Sequence, residues 1–98
     1  MSYERILTEG RRLQILRLLE QSSGYSVNAY TLGNVLNGMG HPVSQDRLMA
    51  DLDWLAEQDL VTVEDVGTVA VATLTVRGGD VAAGRSRVRG VQRPLPGE

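Results

Sequence analysis

The sequence predicts one small α+β domain: a three-helix core, a two-stranded β-hairpin and a short C-terminal helix. Three observations lead there. Residues 3–21, 28–37 and 44–58 each carry apolar side chains at helical spacing. A capping residue, Asn28 or Ser44, stands at the head of the second and third stretches. Two runs rich in valine and threonine follow, divided by turn-forming residues. With 98 residues there is room for one domain.

The first helix places Ile6, Leu7, Leu13, Ile15, Leu16, Leu18 and Leu19 on its apolar positions. The run LQILRLL is apolar over more than half its circumference, so this helix is central to the core or also meets a partner. Gly10 is a candidate break between an N-terminal arm and the helix proper. Arg11, Arg12 and Arg17 read as a solvated face. SSGYS (22–26) is a loop by composition, with a short strand expected near Ser26 and Val27. Asn28 caps a second helix that runs to about Asn37 and turns Leu32, Val35, Leu36 and Met39 inward. Gly38 and Gly40 suit a helix stop, and Pro42 holds His41 extended as a turn residue.

The stretch from Ser44 to Leu60 organises the rest. Ser44 caps it, Leu48, Leu52 and Leu55 form its buried stripe, and it ends near Gln58. Trp54 lies on the flank, where it packs on the hairpin or the first helix, or anchors a dimer interface. Strand-like runs 60–64 and 69–74 enclose Asp65, Val66, Gly67 and Thr68. Thr75 caps a fourth helix over 76–83, weakened by Gly78 and Gly79 and ended by Gly84. RSRVRGVQRPLPGE then contains Pro94 and Pro96 and no helical stripe. The expected division is a domain at 1–84 and an Arg-rich extended or disordered tail at 85–98.

Helix, Gly-containing turn, helix, hairpin is the order of a winged helix-turn-helix, with Ser44 to Gln58 in the recognition position. Three segments resemble that superfamily, in particular small bacterial regulators of the ArsR, MarR and PadR kind. They are RRLQILRLLEQ, LDWLAEQDLVTVE and LTVRGGDVAAG. The second is similar to an L-x-x-L-x-x-x-G-L-V pattern, with Asp59 where glycine is usual. The third is similar to the L-T-x-x-G that leads from wing to last helix. Its end, Arg77 to Gly84, also resembles short Mu-like phage or prophage proteins. The resemblance spans about residues 5–84 and implies a DNA-binding transcriptional regulator. Metal sensing of the ArsR kind needs a ligand cluster that this sequence lacks.

Composition narrows the chemistry. There is no Cys, which excludes disulfides, thiolate metal sites and a Cys nucleophile. One His41 and no Gly-rich phosphate loop leave no catalytic constellation, so no enzyme and no cofactor are expected. No apolar run reaches the ~18 residues of a membrane span, and MSYERILTEG lacks a signal-peptide core. A cytoplasmic protein is expected. The formal charge is −2, unevenly spread: −4 over residues 44–60 and +4 over 77–93.

In the winged fold the first turns of the third helix face the major groove. Ser44, Gln45, Asp46, Arg47 and Ala50 are the candidates there, Asp46 as an acceptor from a cytosine amino group. Arg47 suits a guanine edge and Gln45 an adenine. Against them, Asp46, Asp53 and Glu57 form an acidic stripe opposite the leucines, and phosphates repel carboxylates. The stripe is a solvated face or a docking face for a basic protein partner. Asp46 and Asp51 are candidates for helix-dipole or ion-pair roles, with Arg47 or an Arg of the first helix. Arg85, Arg87 and Arg89 alternate and, in an extended chain, point to one side. They track phosphates or enter a minor groove, or they solubilise a tail. The expectation is a DNA-binding regulator, homodimeric through the first helix and terminal segments, possessing a wing that carries Glu64 and Asp65 and no Arg. The alternative is a winged-helix protein-interaction module without DNA binding.

Overall fold

The structure, a computed structural model, describes residues 2–96. Met1, Gly97 and Glu98, which the expected segments 1–84 and 85–98 include, lie outside the described residues. The order is α1 (Tyr3–Glu20), a 3-10 turn (Ser23–Tyr25), β1 (Ser26–Asn28), α2 (Ala29–Gly38), α3 (Gln45–Glu57), β2 (Val61–Val66), β3 (Val69–Leu74) and α4 (Val76–Ala82). Ser2, Asn28, Ser44 and Thr75 begin the four α-helices in the same way. Each accepts, on its side-chain oxygen, the backbone N–H three residues on.

Three helix ends also share one device. Gly40 (φ +82°), Asp59 (φ +61°) and Gly84 (φ +83°) take the left-handed conformation just past α2, α3 and α4. The next residue then donates back to a carbonyl of the last turn: His41 N to Leu36 O, Leu60 N to Leu55 O, Arg85 N to Asp80 O. This pairing satisfies carbonyls that the helix leaves open. Asp59 fills a glycine's place because a short polar side chain tolerates that conformation best among non-glycines.

The sheet is antiparallel in the order β1-β3-β2, with Ser26 opposite Thr73 and Val61 opposite Leu74. The hairpin is longer than expected. Asp65 pairs with Ala70 and Val66 with Val69, so the connection is Gly67–Thr68 rather than residues 65–68. Gly67 at φ +66° makes that two-residue turn accessible. The core joins Leu13, Leu16 and Leu19 of α1, Leu32 and Leu36 of α2, and Leu48, Leu52 and Leu55 of α3 to Leu60, Val61 and Ala72. Each large apolar side chain so buried stabilises by roughly 1.5–3 kcal/mol.

Three expectations are corrected. Gly10 does not break α1, which is continuous over eighteen residues. The glycine serves a crossing instead: a Cβ there would stand 2.9 Å from the Gln92 side-chain oxygen. Arg11 and Arg12 are not a solvated face. Arg11 is 8% exposed and both arginines bind Asp51 of α3. Nor is the segment after α4 an arm apart from the domain. Residues 85–96 form no helix or strand, yet Val91 is 8% exposed within the core, and the Gln92 amide donates to the Glu9 carbonyl at 3.1 Å. This segment returns along α1 because burial of Val91, helped by partly buried Val88, outweighs the solvation of its arginines.

Candidate nucleic-acid interface

Helical spacing divides α3 into faces. Leu48, Asp51, Leu52 and Leu55 are buried. Asp46, Ala50, Asp53 and Glu57 point away and are exposed. Arg47 and Trp54 lie on one flank, toward α1.

Asp51 is the side chain that ties this helix to α1. It is 1% exposed, in a row of leucines. Its Oδ2 accepts from Arg11 Nε at 2.5 Å and its Oδ1 from Arg12 Nε at 3.3 Å. A buried carboxylate without such partners is strongly unfavourable. Of the roles expected for Asp51, pairing with arginines of the first helix is the one present. Among the described residues, Arg11 Nη2 is buried without a hydrogen-bond partner.

Arg12 does more than pair. Its guanidinium lies 3.9 Å from the centroid of the Trp54 ring, a cation–π contact. Its Nη1 donates to the Gly90 carbonyl at 3.1 Å. Gly90 in turn rests on Trp54: any Cβ there would meet two indole carbons at 2.6 Å. Trp54 therefore packs on the first helix and the returning C-terminal segment, the first-helix alternative expected for it.

The result is a groove between the N-terminal turns of α1, the first turn of α3 and the C-terminal segment. Arg5, Arg12, Arg47 and Arg89 line it, with Glu4 and Glu9. Arg5 pairs with Glu9 at 2.8 Å, and Arg12 with Asp51. Among the described residues, the Arg47 and Arg89 side chains have no ion-pair or hydrogen-bond partner. Both side chains are exposed.

The candidate residues thus divide. Arg47 and Arg89 line the same groove. Ser44 is exposed at the head of α3, where its hydroxyl already accepts from the Arg47 amide at 3.1 Å. Ala50 is exposed at the middle of the acidic face. Gln45 turns away: its amide donates to the Ala29 carbonyl at 3.3 Å and lies over Gly33 of α2. Arg85 pairs with Asp80 at 3.0 Å. Arg87 is exposed and lines a neighbouring groove with Ile6, Val81 and Val88. Sequence reasoning missed Arg12 and Gly90. An acid inside a leucine stripe signals a buried cation, but nothing local tells which arginine supplies it.

Three packed helices, a short strand paired to a hairpin, and that hairpin directly after an exposed third helix define a winged helix-turn-helix protein. No protein-family model matches the chain. It is 53% identical over 91 residues to the uncharacterized protein gp26 of Escherichia phage Mu, covering 93% of this chain and 94% of that one. The chain belongs to the family of that phage protein. An uncharacterized protein of Haemophilus influenzae is 36% identical over 78 residues, covering 79% of this chain and 76% of the relative. A solved MarR family transcriptional regulator from Streptomyces coelicolor shares the fold, with a TM-score of 0.64 and 24% identity. The match covers 74% of this chain and 47% of that regulator, so the chain spans about half its length. Among the described residues no helix is long and apolar enough to cross a membrane. Nor do the described residues place three potential metal ligands together.

Proposed function

We propose that this protein is a DNA-binding winged-helix transcriptional regulator of phage origin, acting in the cytoplasm as a homodimer and without enzymatic activity. The observation that carries the reading is that Arg47 and Arg89, both without a partner among the described residues, line one groove beside the N-terminus of α3. In this reading Ser44, Arg47 and Ala50 approach base edges while Arg87 and Arg89 meet phosphates. Gln45, held on α2, acts as a spacer for the helix, and Arg85 joins the phosphate set after release from Asp80. The exposed Tyr3, Ile6 and Leu7 of α1 supply the dimer contact.

Fluorescence anisotropy with a mixed-sequence duplex at several salt concentrations tests this. Wild type binds with a negative slope of log affinity against log salt. Arg47→Ala and Arg89→Ala each reduce the slope by about 1. Absence of binding even at low salt sinks the reading.

A second reading has its own observation. Asp46, Asp53 and Glu57 are all exposed on one face of α3, and the wing adds exposed Glu64 and Asp65. That surface favours a basic protein partner over phosphates. Asp53→Arg then abolishes capture of the partner and leaves duplex affinity at zero, whereas a DNA regulator binds duplex more tightly after the same change.

A further inference from the structure

The C-terminal segment reaches the groove through fitted contacts. Gly90 lies flat on the Trp54 indole, where a side chain has no room, and its φ of +103° favours glycine. Its carbonyl is held by Arg12. Two residues on, the Gln92 amide is bonded to the Glu9 carbonyl, and the Gln92 side chain crosses α1 where Gly10 has none. Val91 between them enters the core. Two glycines on opposite partners thus match two crossing points. Arg89, next to Gly90, is the residue these contacts bring to the groove that Arg47 also lines.

We propose that residues 88–92 are a strap whose docking on Arg12 and Trp54 assembles a phosphate-binding groove between Arg47 and Arg89. This rests on the nucleic-acid reading above for the source of the phosphate. It adds that Arg12, Trp54 and Gly90 are positioning residues for that contact. With the strap docked, Arg47 and Arg89, without ion-pair partners among the described residues, line one groove in which Glu9 is matched by Arg5 and the Glu4 carboxylate is the remaining acid, so the arginines outnumber the acids there. Released, Arg89 moves with a flexible chain end and the groove loses one wall. A phosphodiester chain suits this site because a guanidinium donates to a phosphate in a bidentate, charge-assisted way and successive phosphates can meet successive arginines.

Trp54 is the one tryptophan in the chain and lines the groove under the strap, so its fluorescence reports both events. The experiment compares full-length wild type, Gly90→Val and Arg12→Gln. The first variant puts a side chain into the indole. The second removes the hold on the Gly90 carbonyl and leaves Arg11 on Asp51. A cooperative thermal melt first establishes that each is folded. Iodide quenching of Trp54 reads strap docking, and titration with inorganic tripolyphosphate reads the groove. The duplex salt series reads the nucleic acid.

Both variants are expected to raise iodide quenching and to lose the change in Trp54 emission that tripolyphosphate causes in wild type. They are expected to weaken duplex binding about tenfold at 0.1 M salt, with the slope reduced by about 1. Quenching equal to wild type in both variants overturns the strap. A released strap with unchanged tripolyphosphate and duplex binding overturns its role in the groove, as does a wild type that ignores tripolyphosphate. If wild type binds tripolyphosphate in a strap-dependent way but no duplex, the DNA reading falls and the strap-built phosphate groove stands.

Discussion

A carboxylate in the leucine row of α3 persists because two guanidiniums from α1 enclose it. Removing it leaves Arg11, buried, with no counter-charge. Asp51→Ala is therefore expected to lower the free energy of unfolding by about 3–5 kcal/mol in urea denaturation. A loss under 1 kcal/mol would show that Arg11 reaches water in solution. Asp59 predicts the opposite sign. It takes the left-handed conformation that Gly40 and Gly84 take at the equivalent stops, and its side chain is exposed. Asp59→Gly relieves that strain and is expected to stabilise by about 0.5–1 kcal/mol, net of the added freedom of the unfolded chain. A lower midpoint in the same denaturation counts against this.

Between elements, the sharpest case is α4, which looks poorly built because glycines interrupt a short helix. Helix propensity alone predicts that Gly78→Ala stabilises by about 1 kcal/mol. The packing predicts otherwise, since a Cβ at 78 would stand 2.0 Å from the Leu60 carbonyl oxygen. Gly78→Ala is expected to destabilise by about 2–3 kcal/mol, read as a fall in Tm, because α4 must lift off the start of β2. Here the limits of the sequence become physical. Caps at Asn28, Ser44 and Thr75 are settled within three residues, so they were legible. The stripe of Leu48, Leu52 and Leu55 is one helix's own pattern and was legible too. Gly10 and Gly78 look like defects from their neighbours, because what they accommodate lies far away in sequence. Gln45 looks like a base reader for the same reason: the vacancy at Gly33 that receives it belongs to another helix.

Across the whole molecule, the largest difference between expectation and structure is the return of residues 85–96. Polar composition and two prolines describe a tail, and four arginines in that segment argue for water. One valine and one glycine, meeting partners near the start of the chain, decide the matter. Val91→Ala separates the two pictures. In a solvated arm it costs nothing, and in the docked segment about 1–2 kcal/mol. For a domain of this size each kcal/mol moves Tm by about 4–8 °C, so the melt resolves it. Arg47 and Arg89 were each legible as exposed cations. Their sharing of one groove was not, because it depends on contacts that span 78 residues, from Arg12 to Gly90.

The junction between α3, the wing and α4 holds one further consequence. Three successive carbonyls at the end of α3 are taken by the start of α4: Gln58 by Arg77 Nε, Asp59 by the Thr75 hydroxyl, Leu60 by the Thr75 amide. The Thr75 hydroxyl also receives the Gly78 amide, so one oxygen terminates one helix and begins another. Neither end can fray alone. In hydrogen exchange, the amides of Thr75, Gly78 and Leu60 belong to a single opening event with one free energy, a cooperative unit that joins segments from both sides of the hairpin. The wing is the loop that this unit closes at its base, while β1, paired to β3, holds it from the other side.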